Sequence, residues 1–170
     1  TLIDLGDGVL GLEFHTKMNS LDGDIIGLYG KALDRLDGDD WQAMVVGSQG
    51  DHFSAGANIF MVLGAAMQQD WAQIEALTKG LQDTLMRAKH HRKPVVTAPY
   101  GMTLGGGAEV AMHSAATRAS RELYCGLVEV GVGLLPAGGG CKEMVFRLLG
   151  GLPAGVTIEA SAFLQQAFTY

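Results

Sequence analysis

Apolar positions along this chain recur at two spacings, and the spacing switches several times. The run from Gly8 to Phe14 reads as a strand. From Leu21 to Leu36 the period becomes helical, with Leu21, Ile25, Leu28, Leu33 and Leu36 recurring toward one side, and Asp37-Gly38-Asp39-Asp40 ends it as a turn. Trp41 to Val46 is a second strand, followed by a long loop of small residues from Gln49 to Asn58. The pattern predicts an amphipathic helix from about Asp70 to Arg87, with Trp71, Ile74, Leu77, Leu81 and Leu85 on one face. Lys93-Pro94 breaks it, and Pro94 to Ala98 reads as a short buried strand. Gly101 to Gly107 is a turn leading into a helix over Ala108 to Ala115. Thr117 to Ala119 and Leu123 to Cys125 are short strands, and Gly138-Gly139-Gly140 opens a helix over Cys141 to Leu149. Glu159 to Phe168 turns helical again. With no internal repeat and no linker, strands alternating with helices predict an α/β fold.

Composition narrows the function. A chain of 170 residues, 48% hydrophobic and 18% charged, suits one domain with its own core and argues against a disordered chain. The net charge of −6 argues against nucleic-acid binding, which needs a basic face. No apolar stretch reaches bilayer length, so neither a spanning helix nor a membrane partner is expected. Two cysteines, Cys125 and Cys141, are too few for a disulfide scaffold and read as packing thiols in a reducing, cytoplasmic setting. The chain opens at Thr1 without an initiator Met, as an excised piece of a longer protein would. Glycine is the outlier at 25 residues, clustered at 105–107, 131–140 and 150–151, where backbone is expected to turn tightly or approach a ligand.

Several motifs fail on inspection. Gly131-Val132-Gly133 starts like a dinucleotide fingerprint, but Pro136 stands at the third glycine. Lys142 after Gly139-Gly140-Cys141 is followed by Glu143 rather than Ser or Thr, so it is no phosphate loop. Adjacent His90-His91 would diverge on a helix, and no Cys pair has metal spacing, so no metal is expected. Ser54 and Ser114 lack a nucleophile-elbow context.

Two acids hold up better. Glu109 falls in the first turn of a helix entered through Gly105-Gly106-Gly107. Alone, it is most simply an acid favouring the helix dipole. Glu129 lies within Leu127-Val128-Glu129-Val130, where an acid needs a partner, a task, or an edge position facing water. Two acids at one glycine-lined pocket share a proton readily, because burial and repulsion raise one pKa. That arrangement suits acid–base chemistry across a substrate bond.

Three segments carry a resemblance: His52-Phe53-Ser54-Ala55-Gly56-Ala57-Asn58-Ile59; Lys93-Pro94-Val95-Val96 through Gly101 to Met112; and Gly126 through Glu129 to Gly139. With Met18-Asn19-Ser20-Leu21, their order and spacing over residues 5 to 150 resemble the crotonase, or enoyl-CoA hydratase/isomerase, superfamily. The stretch from Lys93 to Lys142 is most similar to the hydratase part of multifunctional fatty-acid oxidation proteins, which also carry a 3-hydroxyacyl-CoA dehydrogenase. The resemblance implies a right-handed spiral of ββα turns, with residues 1–150 as a catalytic core and 151–170 as the start of a C-terminal helical segment that is otherwise missing.

It also implies a site. The N–H groups of Ala57 and Gly106 match the two oxyanion-hole donors. Glu109 and Glu129 match the two hydratase glutamates, which add water to a trans-2-enoyl-CoA in fatty-acid β-oxidation. Ala55, Gly56, Asn58, Gly105, Gly107, Pro136 and Ala137 match substrate-binding or site-shaping positions. Coenzyme A would arrive as part of the substrate, so no separate cofactor is implied. Isomerisation or thioester hydrolysis on the same fold is the runner-up activity, and a non-catalytic acyl-CoA-binding fragment is the alternative of another class. The chain departs from the family pattern at Asn58, commonly Asp, at Phe60-Met61, where a basic residue often meets coenzyme A phosphates, and at Ala137, frequently Gly. Leu134, Leu135, Val145, Phe146, Leu148 and Leu149 are too apolar to face water together, so a homo-oligomer is expected, trimer-based by family. With its pocket cover missing, the chain is expected to be weakly active or inactive.

Overall fold

In a computed structural model of the chain, residues 1–151 are described, together with Glu159 and Ala162. The helix expected over 159–168 and the docking of the segment after Gly151 therefore lie outside the described residues. Two sheets organise the fold. The larger takes β1 (Leu2–Asp4), β2 (Val9–Phe14), β3 (Ala43–Ser48), β4 (Val95–Thr97) and β6 (Ala116–Thr117), in that order. Only the β1–β2 pair is antiparallel; the other three are parallel. The smaller sheet pairs β5 (Met102–Leu104) with β7 (Tyr124–Gly126) in parallel, and Ser54 extends it through a parallel bridge to Thr103. Each circuit thus deposits one strand in the large sheet, crosses to the small one and returns through helix. The units β4–β5–α4 (Gly106–Met112) and β6–β7–α5 (Gly140–Gly150) are two such turns. This is the spiral of ββα turns expected of the fold.

The core follows from alternation in the strands and helical spacing in the helices. Leu10, Leu12 and Phe14 of β2 point inward, as do Met44 and Val46 of β3 and Val95 of β4. Helix α1 (Gly23–Leu36) lays Ile25, Tyr29, Ala32, Leu33 and Leu36 on the same core. A fully buried Leu33 is worth about 1.5–3 kcal/mol. Asp22 starts α1 by accepting from the Ile25 N–H at 2.9 Å, and Asp70 does the same for α3 (Trp71–Lys89) through Gln73 at 3.0 Å.

Several expectations need correction. Helix α2 (Ile59–Met67) falls where no element was assigned, because its even apolarity, with Phe60, Leu63 and Met67 exposed, gives no stripe to detect. Trp71 is exposed rather than packed; α3 buries Leu81, Thr84, Leu85 and Ala88, where it meets the core. Cys125 and Cys141 are exposed thiols, not packing residues. Leu134, Leu135, Phe146 and Leu149 do reach the surface. Among the described residues no helix is long and apolar enough to cross a membrane.

Candidate active site

The site begins where three chain segments touch backbone to backbone. Leu21 N–H donates to Gly56 O at 2.8 Å, and Asn58 N–H donates back to Leu21 O at 2.9 Å. On the other side, Ser54 N–H donates to Met102 O and Leu104 N–H to Ser54 O. Gly56, at φ +95°, sits so close that a Cβ there would come within 2.8 Å of Leu104 O. Ala57 N–H takes no part in this backbone network, and Gly106 N–H heads α4, where no turn precedes it to accept. A Cβ on Gly106 would sit 3.5 Å from Ala57 N, so the two donors are neighbours.

Both open on one cleft of about 400 Å³, which also receives Glu109, Glu129, Asn58 and Ala137. Its walls are apolar, built from Leu21, Ile26, Met61, Ile74, Leu77 and Leu81. Helices α1, α2 and α3 therefore supply most of the wall. The apolar face expected of α3, from Ile74 to Leu81, lines this cleft along the helix's N-terminal half.

Glu109 is buried on α4, 2% exposed, and its Oε1 accepts from Gly140 N–H at 2.8 Å. The whole Gly138–Gly140 turn wraps its carboxyl. A Cβ on Gly138 would collide with Glu109 Oε2 and come 2.7 Å from Leu81 Cδ2. Burial pushes the Glu109 pKa up to about 7, against the opposing Gly140 N–H, with the Glu129 charge adding to the rise. Glu129 starts a 3₁₀ turn, Glu129–Val132, and is half-buried. Its carboxyl packs over Gly105, where a Cβ would be 3.0 Å from Oε1. Its Oε2 is buried with no hydrogen-bond partner among the described residues. Burial raises this pKa too. The edge position facing water is therefore not what Glu129 occupies: its side chain turns into the cleft while Val128, Val130 and Val132 stay exposed.

Of the expected substrate-contacting positions, Asn58 and Ala137 line the cleft, whereas Ala55, Gly56, Gly105, Gly107 and Pro136 do not. Gly107 presses on Ser54, whose Cβ would be 2.8 Å from an added methyl. Gly105, at φ +51°, makes the bend that seats Glu129. Pro136 is buried against Gly140. The Gly138–Gly140 turn was read as a helix opener within a glycine cluster expected to turn tightly or approach a ligand, with no tie to Glu109. The signal that it serves Glu109 was the run of small residues ahead of α5, whose first N–H groups need an acceptor. Among the described residues no three His, Cys, Asp or Glu side chains converge as a metal site.

A largely parallel two-sheet spiral with two carboxyl groups and two backbone donors on one apolar cleft defines an α/β protein of the crotonase fold. Solved structures agree: an enoyl-CoA hydratase from Thermoplasma volcanium GSS1 superposes with a TM-score of 0.81 at 19% identity, covering 99% of this chain and 63% of that one. The family model for enoyl-CoA hydratase/isomerase matches residues 5–157, and the chain belongs to this family. A Bacillus subtilis (strain 168) protein described as "Probable 3-hydroxyacyl-CoA dehydrogenase" is 44% identical over 149 residues, 88% of this chain and 19% of that protein. A peroxisomal fatty acid beta-oxidation multifunctional protein of Arabidopsis thaliana is 34% identical over 146 residues, 85% of this chain and 20% of that one. The chain thus spans about a fifth of the length of these relatives.

Proposed function

We propose that the cleft binds a trans-2-enoyl-CoA and adds water across its double bond to give the 3-hydroxyacyl-CoA. The observation that carries this reading is the pair Glu109 and Glu129 on one apolar cleft beside the Ala57 and Gly106 N–H groups. The thioester oxygen accepts from those two donors. With Glu109 ionised and Glu129 protonated, water held between them attacks C3 as Glu109 takes its proton, and the electron pair of the double bond moves toward the thioester oxygen. Glu129 delivers a proton to C2. The proton left on Glu109 then passes to Glu129, which restores the pair. A base titrating near 7 is well matched to this task. Each backbone donor is typically worth ~10²–10³ in rate, because it is aimed where charge develops. The reaction is redox-neutral, so coenzyme A enters only as part of the substrate.

The names of the longer relatives support a second statement of the same reading: the 3-hydroxyacyl ester made here passes to a dehydrogenase in the same polypeptide. Association of copies through the apolar surface at Leu134, Leu135, Phe146 and Leu149 remains part of the proposal, and light scattering checks it.

The test is a product assay on crotonyl-CoA with the full-length protein. Formation of 3-hydroxybutyryl-CoA is expected. A shifted double bond would make it an isomerase, and binding without turnover would make the cleft a docking site only. Gly106→Pro, which deletes one donor, should remove activity while the circular-dichroism spectrum stays folded.

A further inference from the structure

Directly behind Glu109, on the side away from the cleft, lies a cluster of charged and titratable groups that the hydration steps leave unused. His113 is fully buried one helical turn after Glu109, and its Nδ1 donates to the Glu109 main-chain oxygen at 2.8 Å. That fixes the tautomer for a neutral ring and leaves Nε2 as an acceptor, with Lys142 Nζ at 3.3 Å. Glu143, 2% exposed, takes Lys89 Nζ on its two oxygens at 2.6 and 2.7 Å and Lys142 Nζ at 2.9 Å. Its Oε1 also lies 3.5 Å from His113 Nε2. The four residues come from three helices: Lys89 ends α3, His113 follows α4, and Lys142 and Glu143 begin α5. Arg147 adds one more tie by donating to Met112 O at 3.1 Å.

What this cluster grips is the turn that holds Glu109. Gly139, at φ +125°, lies against the His113 ring so closely that a Cβ would be 2.7 Å from Cε1 and 2.8 Å from Nε2. Glu143 N–H donates to Gly139 O at 2.9 Å, while Gly140 N–H donates to Glu109 Oε1. One face of the turn therefore meets the imidazole and the other meets the carboxyl. A buried carboxylate bound by two ammonium groups is costly to bring out of water and stays only where its geometry is satisfied. Its place at the head of α5 fixes that helix against α3 and α4. We propose that His113, Glu143, Lys89 and Lys142 form a positioning device that clamps the Gly138–Gly140 turn and thereby sets where the Glu109 carboxyl points. The device acts through the backbone and touches no substrate. It rests on the hydratase reading only for its turnover measurement.

The test uses Glu143→Gln in the full chain, with crotonyl-CoA kinetics and a carbon-13 NMR titration of the Glu109 carboxyl, assigned with Glu109→Gln. The expected result is a fall in kcat of about ten- to a hundredfold with KM within about twofold, since a misplaced group weakens the transition state more than binding. The Glu109 midpoint should rise, because a loosened turn donates less to the carboxylate. Loss of the Glu143 charge alone would move it down, since Lys89 and Lys142 would be less compensated. A rise supports the clamp; an unmoved or lowered midpoint, or wild-type kcat in a folded Glu143→Gln protein, overturns it. Should that variant not fold, Lys89 gives a second route: Lys89→Arg should keep near-normal kcat, Lys89→Met should lose it, and equal kcat in both overturns the proposal. If the wild type hydrates nothing, a raised midpoint still supports the clamp while the hydratase reading falls.

Discussion

Glu109 and Glu129 share a cleft but are held in opposite ways. Glu109 rises from a buried helix, accepts a backbone N–H from Gly140, and lies enclosed by the Gly138–Gly140 turn. Glu129 stands on a short 3₁₀ turn among exposed valines, and one of its oxygens has no partner among the described residues. The contrast shows that apolar neighbours in sequence do not bury an acid. Val128 and Val130 flank Glu129 and face outward, whereas Glu109 is buried by residues about thirty positions away. It also separates two tasks. A carboxyl fixed by backbone donors has one orientation to offer, while an unpartnered one keeps a lone pair for whatever enters.

The largest test of that contrast removes each acid in turn. Glu109→Gln and Glu129→Gln should each lower hydration by about 10²–10⁴ in the full-length protein. Near-normal turnover in either variant would break the pairing.

Next comes the enclosure itself. Gly138→Ala drives a methyl into Glu109 Oε2 and Leu81, and should cost about 10² in kcat and ~1–3 kcal/mol in stability. Gly131→Ala, beside Glu129 with open space around it, should alter neither. Equal effects in assays and denaturation curves would erase the difference between the two regions.

The pH dependence of stability sharpens the comparison further. Glu109 is raised from 4.5 to about 7 in the folded chain, so the fold binds its proton more tightly than the unfolded chain does. Its contribution is complete below about pH 4.5 and is lost as pH rises through about 7. Urea denaturation at pH 5 and pH 8 should therefore show a loss on the order of 1–3 kcal/mol, most of which Glu109→Gln removes. Glu129 is also raised, so Glu129→Gln should remove a smaller part with the same sign. A larger change at Glu129 than at Glu109 would reverse the assignment of the buried acid. The smallest effect belongs to the exposed valines: Val130→Thr should shift stability by less than about 0.5 kcal/mol, read from the same curves.

Much of this was legible in the chain. The helices over α1 and α3 and the strands β2, β3 and β4 follow from spacing, and their limits from Asp37-Gly38-Asp39-Asp40, Asp70 and Lys93-Pro94. The acids and glycines of the site were legible as residues. Their grouping was not, because Gly56, Gly105 and Gly107 act by letting backbones approach, which a sequence shows only as missing side chains. Helix α2 escaped because an evenly apolar nine-residue run has no amphipathic period to read.

The sequence by itself determined the alternation of strands and helices, the apolar faces that build the core, and the residue types offered for chemistry. These are local properties: period, propensity and turn chemistry act within a few residues. Tertiary structure alone decided that Gly140 N–H meets Glu109, that the α3 stripe lines a cleft before it joins the core, and that Lys89, His113 and Glu143 converge behind the acid. Those contacts join positions from 30 to 54 residues apart. Their strength comes from burial and low dielectric, which exist only once the helices have packed.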